Sequence, residues 1–420
     1  MADLQDKLKG LLATTGLMTG AQWQDRAAEI EEQRASGDFE IDRTIPGELI
    51  GDEESAFYLV RQDFPLDTPH GNTTLGAALD ALPHHIALSA SDAELADFDI
   101  RSAVFVDTET TGLAGGAGTV TFLVGVGYFK DDAFRLDQCF MRDYDDEEPM
   151  LEYLDEVFRR SRTLVSYNGK SFDLPLLRTR FITNRIPYRL EGLAHFDLVH
   201  AARRFWKKRL GDCSLGNIER AILGIQRTGD VPGSEIPRIW LDYLHTRDAR
   251  PLVPVFNHHK MDILSLVALT ATLSQALEVP DGEGFEHHAD RLSLVRVHFR
   301  QKRYAEVLSL SATLLDALSD EALRHELHEM TGFAAKRLQR WDVMETAWIA
   351  VLEEFPRDLM ARHELAKHYE HRKRDLPAAA RMCEEALQHT GSAPGHTATF
   401  RHRLDRIQKK LKKYGYSPGE

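Results

Sequence analysis

Cysteine is scarce in this sequence. Cys139, Cys213 and Cys383 are the only three among 420 residues, and they lie too far apart for a disulfide framework or a thiolate zinc site. Long apolar runs are missing too. The most nearly apolar stretch, Val120–Phe129, falls well short of the roughly 20 residues a membrane-spanning helix needs. The first residues, MADLQDKLKGLL, mix both charge signs and carry no signal-peptide core or cleavage site. A cytoplasmic location without membrane attachment is therefore expected. There is no cationic excess either. A net charge of −14 gives no overall attraction to nucleic acid, although a local basic groove works on an acidic protein. With 43% hydrophobic and 28% charged residues, the composition is that of an ordinary globular protein, and the length suggests two or three domains.

What is there centres on Ala103–Leu113, AVFVDTETTGL. Val104, Phe105 and Val106 have no helical spacing and read as a short buried strand. Residues two apart on a strand share a face, so Asp107 and Glu109 aim two carboxylates at one point. Like charges held that close repel, and burying them unpaired is costly. A divalent cation between them relieves both costs, and hard oxygen ligands suit Mg²⁺ or Mn²⁺. A strand end bearing two solvated acids is the plain alternative.

The chain around this strand reads as mixed α/β. Gly112–Gly118 is glycine-rich and Thr119–Phe129 is β-branched and aromatic, which predicts an antiparallel hairpin. A phosphate loop is excluded there, because Gly-Lys-Ser/Thr opening a helix is absent. Gly169-Lys170-Ser171 echoes that pattern, but the loop's first glycine would fall on Leu164. A third strand is expected at Phe134–Met141, a helix over Met150–Arg162, and a strand at Thr163–Tyr167. That strand runs into Asn168-Gly-Lys-Ser-Phe172-Asp173. Asp173 thus sits just past a strand end, where open α/β sheets collect ligands, though it also suits a helix cap. From His195-Phe-Asp197-Leu a helix is expected to reach Arg203-Arg204-Phe205-Trp206-Lys207-Lys208-Arg209. Its cations suit phosphates and its aromatics suit base stacking; a solvated helix face with both aromatics in the core reads equally well. Asn257-His258-His259-Lys-Met-Asp262 leads a long helix to about Leu277, and His258 and Asp262, four apart, share one face.

Together, Asp-x-Glu on a strand, Asn-x-x-x-Phe-Asp after another and His-x-x-x-Asp on a late helix resemble the DEDD (DnaQ-like) exonucleases of the ribonuclease H-like superfamily. Within them the text is similar to the bacterial YprB / mitomycin repair factor B-type branch, through Leu215–Leu223, the Pro-Gly-Ser-Glu-Ile-Pro loop at 232–237, and His258 to Leu266. The resemblance implies catalytic residues Asp107, Glu109, Asp173, His258 and Asp262. The four carboxylates would hold two Mg²⁺ or Mn²⁺ ions, one to activate a water and one to stabilise the leaving 3′ oxygen. His258 would act as base. In the larger DEDD groups the third motif has Tyr four before Asp or His five before, a position that is Asn257 here; His259 is the neighbouring alternative for the base. Thr108, Thr110, Gly112 and Leu113 would line the terminal nucleotide, joined in nucleic-acid contact by Asn168, Arg203, Arg204, Lys207 and Lys208.

Beyond about residue 287 the sequence changes character. Tyr304-Ala-Glu-Val-Leu, Trp341-Asp-Val-Met-Glu and Leu376-Pro-Ala-Ala-Ala recur at intervals of 37 and 35 residues, a style similar to tetratricopeptide helical hairpins. Such stacks offer a partner surface. A basic tail, Arg401–Lys413, has charges suited to a DNA backbone. The expected architecture is an α/β ribonuclease H-like domain, a mixed sheet flanked by helices, followed by an all-α tetratricopeptide-like domain. Its parts are an N-terminal helical arm at 1–45, an extension packed on the core at 46–97, the exonuclease domain at 98–278, and repeats with the basic tail at 287–415. The activity implied is metal-dependent 3′–5′ hydrolysis of DNA, single-stranded or at 3′ ends, in repair with a helicase partner. Two alternatives are an RNA 3′–5′ exonuclease and a catalytically silent scaffold that binds nucleic acid and recruits proteins through the repeats.

Overall fold

The computed structural model describes residues 39–52, 55–112, 118–389 and 394–413. Most of the expected arm, at 1–38, and most of the glycine-rich connection, at 113–117, lie outside the described residues. The chain divides into two compact units. One holds the described residues up to Ala201 together with Cys213–Ser274; the other holds Ala202–Asp212 and the described residues from Gln275 onward. The basic helix segment expected within the nuclease domain therefore belongs with the C-terminal helices.

The first unit is built on a sheet of seven strands. In chain order these are β1 (Glu48–Gly51), β2 (Ala56–Pro65), β5 (Ala103–Thr110), β6 (Thr121–Lys130), β7 (Ala133–Phe140), β8 (Thr163–Ser166) and β9 (Ala194–Asp197); β3 (Pro69–His70) and β4 (Thr73–Thr74) form a separate small hairpin. The spatial order is β1-β2-β7-β6-β5-β8-β9. From β1 through β5 all neighbours are antiparallel, whereas β5-β8 and β8-β9 are parallel. β5 lies where the two halves meet. The region at 46–97 does more than pack on the core, since β2 pairs with β7 from Tyr58↔Phe140 to Pro65↔Ala133 and so enters the sheet itself.

Helices α1 (Pro83–Ala90), α2 (Glu147–Phe158), α3 (Asp173–Thr183), α4 (Leu198–Leu210), α5 (Ile236–Thr246) and α6 (Leu252–Glu278) follow the strands. Val104 and Val106 of β5 join Val124 and Val126 of β6 and Met150, Leu154, Leu177 and Phe181 of α2 and α3 in one fully buried cluster. Phe122 stacks on Trp240 of α5 at 4.9 Å between centroids, and the indole nitrogen donates to the Met141 carbonyl.

One expectation is corrected here. His195-Phe196-Asp197 does not open a helix; it is β9, paired in parallel with β8 from Thr163↔Ala194 to Ser166↔Asp197. Four residues give too short a period to separate strand from helix by pattern. The helix begins one residue later, at Leu198.

The second unit is helical. It contains α7 (His288–Arg300), α8 (Tyr304–Leu314), α9 (Glu321–Arg337), α10 (Trp341–Glu354), α11 (Leu359–His368), α12 (Leu376–His389) and α13 (Pro394–Lys413). The three recurring sequence segments each start a helix, at Tyr304, Trp341 and Leu376. Trp348 is fully buried among Ala335, Met344, Val351, Ala361 and Leu365. A Cβ on Gly332 would lie 2.6 Å from that indole, so the glycine admits it. All three cysteines are free and buried, and no helix among the described residues is long and apolar enough to cross a membrane.

Candidate active site

The site is assembled by β5, β6 and α6. Asp107 pairs with Gly125 of β6, and Gly125 pairs with Gln138 of β7. Directly paired residues share a face, so the three form a row across the sheet with a gap at the glycine. Helix α6 fills that gap. A Cβ on Gly125 would lie 2.1 Å from Ile263 Cδ1 and 2.5 Å from His259 Cε1. Gln138 Nε2 donates to His259 Nδ1 at 3.1 Å and to the Phe256 carbonyl at 2.9 Å. His259 Nε2 then donates to the backbone carbonyl of Asp107 at 3.1 Å. His259 is wholly buried, and burial pushes its pKa down to about 4. It is a neutral pin between α6 and the strand that carries Asp107.

His258 has different surroundings. Its Nδ1 lies 2.8 Å from Asp230 Oδ1 and its Nε2 3.4 Å from Asp262 Oδ2. Glu109, His258 and Asp262 offer ligand atoms within 4.8 Å of one another. A bulge between Glu109 and Thr110 re-aims the strand at this point. Asp107 and Asp173 fall outside that tight set but within electrostatic reach. Burial, then the charges of Asp262, Asp173 and Glu109, push the Asp107 carboxyl well up. Burial and the charges of Asp262 and Asp173 do the same to Glu109. Burial also raises Asp262, against the opposing charge of Arg227. Half-buried acids that raise one another are under-neutralised, and an oxygen-rich set of this kind fits a divalent cation such as Mg²⁺ or Mn²⁺. A second group, His325, Glu329 and Asp358 in the helical unit, is different: the two ring nitrogens face different acids, Asp358 at 3.0 Å and Glu329 at 3.9 Å.

Asp173 is the first residue of α3. Burial lifts its carboxyl to about 6, although Thr108 donates to it at 2.5 Å and holds it down in part. Its turn is fixed from below. Asp197, at the end of β9 and buried, accepts from the backbone N–H of Asn168 at 2.7 Å and of Lys170 at 3.0 Å. Asn168 adopts a left-handed φ of 66°, which asparagine tolerates better than most residues.

Several expected nucleic-acid contacts are placed otherwise. Thr108 and Thr110 are buried, with the first hydroxyl committed to Asp173 and the second to the Gly112 carbonyl. Both hydroxyls are thus spent on groups within the site. Gly112 borders open space, while Leu113 lies outside the described residues. Phe205 and Trp206 are in the core of the helical unit, and Phe205 stacks on Phe285 at 5.1 Å; neither is available to a base. Arg203, Lys207 and Lys208 are exposed and Arg204 is half-buried. Arg403, Arg406 and Lys410 of the basic tail are turned onto the buried carboxylate of Glu370, at 2.7, 2.6 and 2.7 Å, so part of that charge is spent internally.

Arg227 was invisible as a site residue. It lies between the wide turn Glu219–Leu223 and α5, and its Nη2 donates to Asp262 Oδ1. A charged residue in an aperiodic loop carries no sequence signal. Asp230, in the same loop, carries none for the same reason, and Gln138 and Asp197 are single polar residues inside strands β7 and β9 whose partners lie far along the chain. Gly125 and Gly127, alternating within a strand, did carry one: glycine inside a strand marks a close approach of another element.

Residues 104–274 match the RNase_H superfamily. A Bacillus subtilis (strain 168) protein named "Uncharacterized protein YprB" is 28% identical over 374 residues, spanning 85% of this chain and 87% of that one. Among solved structures, the family B DNA polymerase from the hyperthermophilic archaeon Pyrobaculum calidifontis matches 47% of this chain and 29% of its own, at 15% identity and a TM-score of 0.32. With its mixed sheet flanked by helices, the segment 104–274 has the fold of a ribonuclease H-like domain.

Proposed function

We propose that the protein is a metal-dependent 3′–5′ exonuclease that hydrolyses DNA phosphodiester bonds. The observation that supports this reading is the set of half-buried, mutually repelling carboxylates Asp107, Glu109 and Asp262, with His258 beside them and Asp173 within electrostatic reach. Asp107, Glu109, Asp262 and Asp173 would hold Mg²⁺ or Mn²⁺, which when bound supplies a Lewis acid for water activation and for charge on the phosphate. His258 has Nδ1 committed to Asp230, so Nε2 is the nitrogen that takes a proton from the attacking water. Asp197 and Thr108 hold Asp173 in place, and His259 holds the Asp107 backbone. Arg203, Lys207 and Lys208 would meet backbone phosphates. A role in DNA repair beside a helicase rests on the resemblance of the motifs alone.

The test uses purified protein and Asp107→Ala with 3′-labelled and 5′-labelled DNA strands in Mg²⁺, Mn²⁺ or EDTA. Metal-dependent early release of the 3′ label, absent in the variant, is expected. Full activity in Asp107→Ala refutes the site. Cleavage of a matched RNA strand but not DNA selects the ribonuclease alternative. Binding of both without turnover selects the scaffold.

A further inference from the structure

Arg227 is the one cation in direct contact with the candidate metal ligands among the described residues, and it is not free to move. Its Nε donates to Glu219 Oε2 at 2.7 Å and its Nη2 to Glu219 Oε1 at 2.5 Å. Glu219 is almost wholly buried and accepts a further bond from Ser265 Oγ at 2.5 Å. Ser265 Oγ, having donated its proton, accepts from His70 Nε2 at 2.8 Å. The chain His70–Ser265–Glu219–Arg227 thus links the β3–β4 hairpin, α6 and the 219–223 turn through polar groups each of which has a partner. Its last donor reaches Asp262 Oδ1. Nη1 is turned toward Asp230 and His258, at 3.4 Å from each.

This arrangement divides the two oxygens of Asp262. Oδ1 is occupied by a guanidinium clamped from behind. Oδ2 lies 3.4 Å from His258 Nε2, on the side where Glu109, His258 and Asp262 converge. A competing cation would have to swing away before a metal could enter. A guanidinium held in a fork by a buried carboxylate instead remains while the other oxygen does the work. Partners of this kind orient metal ligands, and their loss typically costs 10–100-fold in metal affinity or activity. The planar fork also matters in itself, because lysine cannot bond Glu219 twice and Asp262 at once.

We propose that Arg227 is a positioning residue, locked by Glu219, that fixes the Asp262 carboxylate with Oδ2 turned toward the metal site. This rests on the nuclease reading of that site. The test measures Mn²⁺ binding to the full chain by calorimetry, with Asp107→Ala defining the portion due to the site, alongside kcat and KM on a labelled DNA strand. In Arg227→Gln the Asp107-dependent Mn²⁺ affinity is expected to fall about 10-fold, with kcat reduced and KM for DNA little changed. Arg227→Lys keeps the charge but loses the fork, and is expected to resemble Arg227→Gln. Glu219→Gln loosens the clamp without touching Asp262, and is expected to weaken Mn²⁺ binding to a smaller degree; it decides the matter if the Arg227 variants do not fold. Wild-type affinity in Arg227→Lys, tighter Mn²⁺ binding in Arg227→Gln, or unchanged binding in Glu219→Gln each overturns the proposal. If the wild-type chain shows no Asp107-dependent Mn²⁺ binding at all, the nuclease reading falls first, and this assignment with it.

Discussion

His258 and His259 are adjacent in sequence, and the structure gives them opposite consequences on substitution. His259→Ala deletes a ring that is wholly buried and bonded at both nitrogens. The Asp107 carbonyl loses its donor, and one hydrogen bond removed from a buried acceptor costs about 1–3 kcal/mol. Gln138 keeps its bond to Phe256, so little more is lost on that side. The gap over Gly125 adds a cavity, for which large-to-small changes cost about 2 kcal/mol or more. A loss of about 3–5 kcal/mol in stability is the sum, read as a lowered urea midpoint. His258→Ala removes a partly exposed ring with a 2.8 Å contact to Asp230, an interaction worth about 0–1 kcal/mol. Its stability should stay within about 1 kcal/mol of wild type, while hydrolysis falls by roughly 10²–10⁴-fold if the ring is the base. His259→Gln, whose amide can still donate toward Asp107, should recover part of the stability lost in His259→Ala. The reasoning is refuted if His259→Ala is as stable as wild type, or if His258→Ala unfolds early and still cleaves at the wild-type rate.

Gly125→Ala places a methyl 2.1 Å from Ile263 Cδ1 and 2.5 Å from a ring that cannot turn; overpacking of this kind costs about 1–3 kcal/mol, and thermal unfolding should show it together with weaker hydrolysis. Asp197→Asn turns an amide N–H toward the N–H of Asn168 or Lys170 and should loosen the turn that carries Asp173; faster amide exchange at 168–173 with a folded sheet is the expected result, and unchanged exchange refutes it. Burial, with the charge of Arg227, lowers the His70 pKa from 6.5 to about 4. The folded state therefore keeps this ring neutral where the unfolded chain protonates it, so its stabilisation is complete above pH 6.5 and lost as pH falls toward 4, by about 3 kcal/mol at about 1.4 kcal/mol per unit. The slope of urea midpoint against pH over that window should flatten in His70→Gln.

How much of this was legible depended on whether a residue obeyed a period. Asp107 and Glu109 are legible because period two on an apolar strand puts both on one side, and β5 does lie inside the sheet, between β6 and β8. His258 and Asp262 were found because period 3.6 brings them to one face, and α6 carries both. The repeat starts at Tyr304, Trp341 and Leu376 are legible through a longer period, the recurrence at 37 and 35 residues, and each does start a helix. β9 is not legible because Ala194–Asp197 is too short to show any period, and the helical pattern of α4 follows it without a break. Phe205 and Trp206 were ambiguous because a basic helix with two aromatics looks the same whether the rings face a base or a core; only Phe285, far along the chain, settles that they face the core.

The residues that support the site have no period at all. Arg227, Glu219 and Ser265 meet because a loop, a turn and a helix are folded together, and nothing in the spacing of 219, 227 and 265 announces it. Asp197 holds a turn nearly 30 residues earlier in the chain. Yet each has a physical reason to be where it is. Asp107 and Glu109 on a strand, Asp262 on one helix and Asp173 at the start of another leave a half-buried negative charge that these elements alone cannot offset, and Arg227 is the charge the fold supplies. His259 answers a different need. With Gly125 and Gln138 it sets the height of α6 over the sheet, and that height determines whether Asp262 reaches Glu109. Three of the candidate ligands, Asp107, Glu109 and Asp262, are thus written in the two periods, and their geometry in the residues that hold those elements together.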